Sequence, residues 1–429
     1  MGSCKIPDSC YNFKQQPAIE KGRSWAKPRG RLTKGKVFRM QEIKIELTKT
    51  PKQKPADESK LGFGKIFTDH MFIVEYTVGT GWHDARIVPY GPLQIDPASP
   101  VLHYGQEIFE GLKVYRREDG GIQMFRPMEN ALRMNRSAER LCMPTLDPEF
   151  QVRAMKELVR IEKEWIPTSE GTSLYLRPMM IAGGAELGVH PAKEFIYVII
   201  CSPSGSYYKN GIQPLRIHIE EHYVRAVKGG IGAAKTGGNY ASSLKATFDA
   251  AARGFDQVLW LDGRENKYVE EVGAMNMMFV IDGKIVTAPL EGSILAGVTR
   301  KSILQLAQDM GYETEERRIS VQELFDAHAR GTLTEAFGTG TAAVISPVGE
   351  MEYDGRSMIL NDRKIGKISQ LMYDTLVGIQ RGKTPDPHGW TVELQLSDQQ
   401  FALCDSCPER LGSVEMSHAD LADGILVIK

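Results

Sequence analysis

At 429 residues and 42% hydrophobic content, the chain is long enough for two or three domains with real cores. Lys and Arg number 53 against 54 Asp and Glu, a net charge of −1 that removes any global electrostatic reason to bind nucleic acid or an anionic membrane and favours a small neutral or acidic ligand. No apolar run approaches the ~18–20 residues of a membrane helix, the N-terminus lacks the apolar core of a secretory signal, and four of the six cysteines (Cys4, Cys10, Cys404, Cys407) lie in the terminal extensions, so a reducing, intracellular compartment is expected.

In chain order, residues 1–59 form an extension mostly outside the core. Its first 39 residues carry ten Lys/Arg against two acids, with three serines and no amphipathic helix. A disordered leader is at least as good a reading as organellar targeting, and a cytoplasmic location is expected. Residues 60–203 form a small α+β domain with the strand "MFIVEY" and a hairpin "LKVYRREDGGIQMF" turning on Asp119-Gly120. Asp147-Pro148 caps the helix "EFQVRAMKELVRIEKEW". After a connector at 204–211, residues 212–394 form a larger α+β domain. It contains "LRIHIEEHYV", a helix "NYASSLKATFDAAAR" closed by Gly254, the buried strand "QVLWLD" and the Asp-Gly hairpin "MFVIDGKIVTAP". A helix from Val298 to Gly311 and one capped by Ser320 and Glu323 follow, then a Gly/Thr loop "GTGTAA". Residues 395–429 read as a polar tail, in which the CxxC of Cys404 and Cys407 has no second pair at zinc spacing and gets no metal or redox role.

The segment "GGIGAAKTGGNYASSL" (229–244) sets Lys235 among five glycines and three alanines, without an acidic neighbour. It misses the P-loop because Ala234 replaces the second glycine and two glycines follow Thr236 where that motif has a helix N-terminus, which makes an NTPase improbable even though "VLWLD" ends in Asp262. "HIEEH" at 218–222 matches a zinc pattern that needs a helix, but Leu215, Ile217 and Ile219 alternate as in a strand. At ~3.3 Å per residue the two histidines stand ~13 Å apart, so a solvated strand face is expected. Lys235 is then either a surface lysine in a flexible loop or an amine depressed in pKa by small apolar neighbours, suited to condense with an aldehyde cofactor.

Pyridoxal phosphate chemistry needs a carboxylate for the pyridinium nitrogen, donors for a phosphate and a Schiff-base lysine. Candidates are Glu271, the helix start at Val298 and Thr299 with "GTGTAA", Arg133 as a bidentate cation, and Lys235.

In order along the chain, "FTDHM", "HYGQEIFEGLKVYR", "LYLRP", "ELGV", "VKGGIGAAKTGGNYASSL", "QVLWLD", "EVGAMNMMF", "GVTR" and "FGTGTAAVISPV" resemble the branched-chain amino acid aminotransferases, over about 60–394. The resemblance implies a two-domain fold type IV pyridoxal 5'-phosphate enzyme, D-amino acid aminotransferase-like, that moves amino groups reversibly between leucine, isoleucine or valine and 2-oxoglutarate in ping-pong half-reactions. It implies that Lys235 forms the internal aldimine and shuttles the proton, that Tyr240 bonds the phenolic oxygen, and that Glu271 holds the pyridinium proton. Arg133, Val298, Thr299 and Thr341 would bind the phosphate. Tyr104, Thr341 and Ala342 would receive the substrate carboxylate, Phe63, Phe109 and Tyr175 would wall the side-chain pocket, and Arg177 would meet the distal carboxylate of glutamate. A homodimer is implied, with Leu187 and Val189 reaching the other subunit's site.

Ala343 and Ser346 stand where animal members carry a redox CxxC, and Ala274 where some relatives have a threonine. Rival readings are D-amino acid aminotransferase, aminodeoxychorismate lyase and a non-catalytic cofactor-binding protein. Retention of both Lys235 and Glu271 speaks against the last.

Overall fold

The structure, a computed structural model, describes residues 42–205, 212–395, 402–403 and 426–428. The basic head, most of the 204–211 connector and the Cys404/Cys407 pair lie outside the described residues. Two mixed sheets make the frame. The first has eleven strands, with Ser173–Ala182, Glu194–Ser204 and His70–Thr77 adjacent at its centre and Glu107–Phe109 paired to one end of Ser173–Ala182. The second has nine, and its middle runs Gln257–Leu261, Leu215–Ile219, Val344–Tyr353, Leu333–Gly340, Met275–Ile281.

Turn chemistry accounts for the hairpins. Asp282 (φ 51°) and Gly283 (φ 78°) both adopt the left-handed conformation that a tight two-residue turn needs between Met275–Ile281 and Lys284–Thr287. Between Leu112–Arg116 and Ile122–Phe125, the Asp119 carboxylate accepts the Gly121 N–H at 2.9 Å. The helices begin where their caps predict: Asp147 accepts from Glu149 N ahead of Pro148–Ile161, and Ser320 accepts from Glu323 N ahead of Val321–Ala329.

Two pairs of parallel strands shape the site. Leu215–Ile219 lies parallel to Gln257–Leu261, and Lys284–Thr287 lies parallel to Thr314–Glu316. Parallel neighbours need a crossover, and here the crossovers carry the helices Leu244–Ala252 and Val298–Asp309. Long loops leave the carboxyl ends of both first strands, the position at which open α/β sheets bind ligands.

The three largest cores lie one with each sheet and one between them. Phe72, Leu158 and Leu176 sit in the first, and Phe279, Leu324 and Met351 in the second. The third joins Tyr115 and Phe125 of the first sheet to Met278 and Phe337 of the second through Ile303 and Leu376. The helix Lys367–Arg381, which supplies Leu376, packs on strands of both sheets.

Some expectations change. Strand Thr391–Leu394 lies not with the 212–394 body but antiparallel to Ile122–Phe125 in the first sheet, where Leu394 is buried. In the tail, Leu426–Ile428 pairs with Ile43–Ile45. "HIEEH" does start as a strand, yet its face is not solvated. His218 is buried 2.8 Å from a Glu352 oxygen, because Leu215–Ile219 is an inner parallel strand covered by helix and neighbours. A helix does begin after Thr236, at Gly237–Ala241, and Ser242-Ser243 separates it from Leu244–Ala252. Finally, Gly338 to Gly340 end the strand Leu333–Gly340, and only residues 341–343 form the turn.

The bridging helix has Gly366 at its N-cap and therefore no capping side chain of its own. Glu335 replaces it, accepting from Ile368 N (2.9 Å), Ser369 N (2.9 Å) and the Ser369 hydroxyl (2.7 Å). Glu335→Ala, which orphans buried donors, is expected to destabilise the protein by about 2 kcal/mol in urea unfolding, with Glu335→Gln losing less. An unchanged midpoint for Glu335→Ala refutes this capping role.

Candidate active site

Lys235 is held by its own backbone on three sides. Its N–H donates to the Ser137 hydroxyl at 2.9 Å, its carbonyl accepts from Phe109 N at 3.0 Å, and two residues later Gly237 N donates to the Glu107 carboxylate. A side chain at Gly237 has no room, since its Cβ would lie 2.4 Å from that carboxylate. Asn239 closes the loop by donating to the carbonyls of Ile231 and Ala234, both at 2.9 Å. The amine donates to the Tyr240 hydroxyl at 2.8 Å and lies 4.7 Å from the Phe109 ring centroid. Burial, and then the nearby Arg133, lower its pKa to about 8. The small neighbours read from the sequence thus correspond to a desolvated lysine and not to a surface one.

Glu271 lies on Val269–Val272, buried, in an ion pair with Arg225. Asn276 donates to it at 3.1 Å. Burial raises its pKa and Arg225 opposes the rise, leaving it at about 7. Glu271 and Arg225 line a cleft of about 330 Å³ with Tyr240, Ala274 and Leu295. The Tyr240 hydroxyl is pushed up to about 12, mainly by burial, so it remains a proton donor near neutral pH.

A second cleft, of about 280 Å³, is lined by Asn130, Lys113, Val298, Thr299 and Thr341 among others. No described hydrogen bond uses the N–H of Val298 or Thr299, the first two residues of their helix. The segment from Leu295 in the first cleft to Thr299 in the second spans at most ~14 Å. Beside it Val344 holds φ 65°, a strained value for a β-branched residue at the end of the 341–343 turn.

Arg133, expected at the phosphate, has partners within the chain. It is buried against Glu110, with Nε and Nη2 at 2.7 and 2.8 Å from the two carboxylate oxygens and Nη1 donating to Ala296 O at 3.0 Å. A buried arginine needs a counter-charge, and Glu110, 23 residues earlier, supplies it.

The side-chain pocket assembles on one face of the first sheet. Arg177 lies with its guanidinium carbon 4.6 Å from the Phe109 centroid and 5.3 Å from that of Tyr175, and it donates to the Tyr175 hydroxyl at 3.0 Å. Phe63 meets Tyr175 edge-on at 4.9 Å. Gly111 admits the Tyr175 ring, for a Cβ there would lie 1.9 Å from its hydroxyl. Tyr104, Leu187 and Val189 stand apart, 44%, 61% and 84% exposed. Tyr104 donates to the Leu187 carbonyl, and no described contact links this trio to Lys235. Ala342 offers its carbonyl to Lys113 at 2.6 Å.

Sequence reasoning missed Arg225, Glu110, Ser137 and Lys113. Ser137 and Glu110 carry no sequence signal, because their partners come from distant segments. Lys113 had one: it is a lysine in a strand whose alternate positions are apolar.

The donor set fits pyridoxal phosphate: a desolvated amine, a carboxylate fixed by Arg225 and Asn276, and free N–H groups at a helix start. Among the described residues no group of three His, Cys, Asp or Glu could hold a metal, and no helix is long and apolar enough to cross a membrane.

The Amino-transferase class IV family matches residues 107–351. Branched-chain-amino-acid aminotransferase 2 of Bacillus subtilis (strain 168) is 53% identical over 354 residues, covering 82% of this chain and 97% of that protein. A probable branched-chain-amino-acid aminotransferase of Streptomyces coelicolor is 52% identical over 330 residues, covering 77% and 91%. Among solved structures, the branched-chain amino acid aminotransferase of Escherichia coli superposes with a TM-score of 0.64 at 28% identity, covering 76% of this chain and 99% of that one. A T.th. branched-chain amino acid aminotransferase complexed with N-(5'-phosphopyridoxyl)-L-glutamate gives 0.63 at 29% identity, covering 76% and 98%.

Competitive amine labelling of the cofactor-free protein checks the central electrostatic claim. Lys235 is expected to label with a midpoint near pH 8, where about half of it is neutral, and the exposed Lys228 is labelled alongside as the reference. A Lys235 profile matching that of Lys228 contradicts a desolvated amine.

Proposed function

This chain belongs to the amino-transferase class IV family, and on that premise we infer how its cleft carries out branched-chain transamination. It transfers the amino group of leucine, isoleucine or valine reversibly to 2-oxoglutarate, in two half-reactions through one site, with pyridoxal 5'-phosphate as cofactor. When bound, the cofactor supplies the electron sink that lets a proton leave the substrate α-carbon.

The observation that carries the residue assignments is the desolvated Lys235 amine, 2.8 Å from the Tyr240 hydroxyl and in the same buried charge system as Glu271. With a pKa of about 8, Lys235 Nζ can both take the proton from the substrate α-carbon and return one near neutral pH. Its pinned backbone fixes the root of the side chain while the amine moves. Glu271, fixed by Arg225, would hold the proton of the cofactor's ring nitrogen, and Tyr240 would bond its phenolic oxygen. The N–H groups of Val298 and Thr299, with Thr341, would hold the phosphate. Arg133, which holds the Ala296 carbonyl, would belong to the same phosphate site.

The pocket must accept an aliphatic chain in one half-reaction and a carboxylate in the other. Phe63, Phe109 and Tyr175 wall it, and Arg177 stacks on two of these rings with no carboxylate within ion-pair distance among the described residues. A cation stacked on aromatic rings leaves apolar surface for leucine, yet its unused donors remain for glutamate. The α-carboxylate is assigned to Thr341, Ala342 and Tyr104. Exposure of Leu187 and Val189 beside Tyr104 supports a homodimer in which this edge meets the partner's site. A cytoplasmic location accords with the near-neutral charge and is part of the same proposal.

Leucine alone should bleach the visible colour of the cofactor-loaded protein, and 2-oxoglutarate should restore it. A loaded protein that leucine leaves unchanged is not a transaminase for this substrate. Lys235→Ala should retain bound cofactor and lose turnover. In Arg177→Ala, kcat/KM for glutamate should fall about 10- to 100-fold, the worth of a charged hydrogen bond, with a loss of less than about threefold for leucine. Equal losses remove Arg177 from the distal carboxylate.

A further inference from the structure

Resting on the reading that Arg177 meets the distal carboxylate of glutamate, we propose that Glu107 is a specificity-determining residue, whose fixed carboxylate weakens the pocket's hold on the acidic substrate relative to the aliphatic one. Register places it beside the pocket. Glu107 lies opposite Ile181, Phe109 opposite Met179 and Lys113 opposite Tyr175, so Glu107–Phe109 and Leu112–Arg116 continue a single register along Ser173–Ala182. Side chains alternate with a period of two, and directly opposed residues share a face, so the odd-numbered positions from 107 to 113 and from 175 to 181 point the same way. Glu107 is the one acid among them. Glu110 belongs to the other face, where it is bonded to Arg133.

The two opposite charges share this face, yet each is held by other partners. Arg177 is kept in place by its stacking on Phe109 and Tyr175 and by its bond to the Tyr175 hydroxyl, and its Nε is buried without a hydrogen-bond partner. Glu107 accepts from Gly237 N and, at 3.4 Å, from the Thr236 hydroxyl, both on Oε1. Both partners are donors, so the lysine loop binds the ionised form of the acid. Burial raises the Glu107 pKa, and the Gly237 and Thr236 donors and then Arg177 oppose the rise, so the guanidinium and the carboxylate act on each other through space. A distal carboxylate that reaches Arg177 therefore enters the field of a like charge in a partly desolvated site. An aliphatic chain carries no charge to repel. Glu107 thus biases the pocket toward leucine, isoleucine and valine without a steric block, and glutamate still enters in the other half-reaction.

The test follows bleaching of the full-length, cofactor-loaded protein by glutamate alone and by leucine alone. Glu107→Gln keeps an oxygen for the Gly237 N–H and removes the charge. It should raise the ratio of kcat/KM for glutamate to that for leucine about three- to tenfold, mainly through a lower KM for glutamate. A looser lysine loop slows both amino acids alike and cancels in the ratio, so a merely structural role does not move it. A ratio within about twofold of the wild type, or below it, overturns the proposal. Glu107→Asp, which keeps the charge, should stay near the wild-type ratio, and a shift as large as that of Glu107→Gln also overturns it. If Glu107→Gln does not fold, Glu107→Ala removes the same charge and is judged by the same ratio. Arg177→Ala, measured alongside, separates this proposal from the reading beneath it. A selective loss of glutamate there with an unshifted ratio in Glu107→Gln refutes the role of Glu107 alone, whereas equal losses for both amino acids refute the assignment of Arg177.

Discussion

Charge removed from water must find a partner, and the arrangement of this cleft follows from which charges have one. Glu110 matches Arg133 and Glu271 matches Arg225, each pair buried and each hydrogen-bonded further, to Asn130 and Asn276 respectively. Lys235, Arg177 and Lys113 are left without ion-pair partners among the described residues. The cleft therefore offers unpaired positive charge to a ligand. Its ligands have the opposite sign: a phosphate ester, an α-carboxylate and, in alternate half-reactions, a distal carboxylate. Desolvation that would penalise a structural lysine here gives Lys235 a proton affinity close to neutrality.

The two sheets supply that desolvation without supplying much of the chemistry. Lys235 and the helix start at Val298 both sit in crossovers between parallel strands, so the chain must leave the sheet at the same kind of place twice. One exit presents an amine, the other a row of free N–H groups. The first sheet contributes side chains from its strands instead: Phe109, Lys113, Tyr175 and Arg177 share one face, and their spacing is set by β-pairing. Phe109 joins the two contributions, since its N–H holds the Lys235 carbonyl and its ring lies beside both the amine and the Arg177 guanidinium.

What could be read in advance was whatever depends on near neighbours. Asp-Gly turns, the Asp147 and Ser320 caps and the small residues around Lys235 act over a few positions, and the structure realises them where the sequence puts them. Pairings across long separations left no local trace. Glu110 could not be assigned to Arg133, nor Arg225 to Glu271, because a buried ion pair is made by the packing of segments that carry no common pattern. The solvated reading of His218 failed for a related reason: strand alternation shows that two faces exist, but an inner parallel strand has both covered. The helix at Gly237 was missed because glycine is a poor helix former; a donor bond from Gly237 N to Glu107 and the Asn239 contacts hold that turn in place of propensity.

The strand Thr391–Leu394 completes the edge of the first sheet by pairing with Ile122–Phe125, some 270 residues earlier in the chain. That edge stays open during synthesis until nearly the whole chain has left the ribosome. The helix Lys367–Arg381, whose packing joins the two sheets, is made only just before it. An apolar sheet edge awaiting a late partner is the surface on which nascent chains pair wrongly, and closing so long a loop is slow relative to local folding. Truncation ahead of Lys367 would leave every catalytic side chain in the polypeptide and yet remove the parts that hold the two halves against each other.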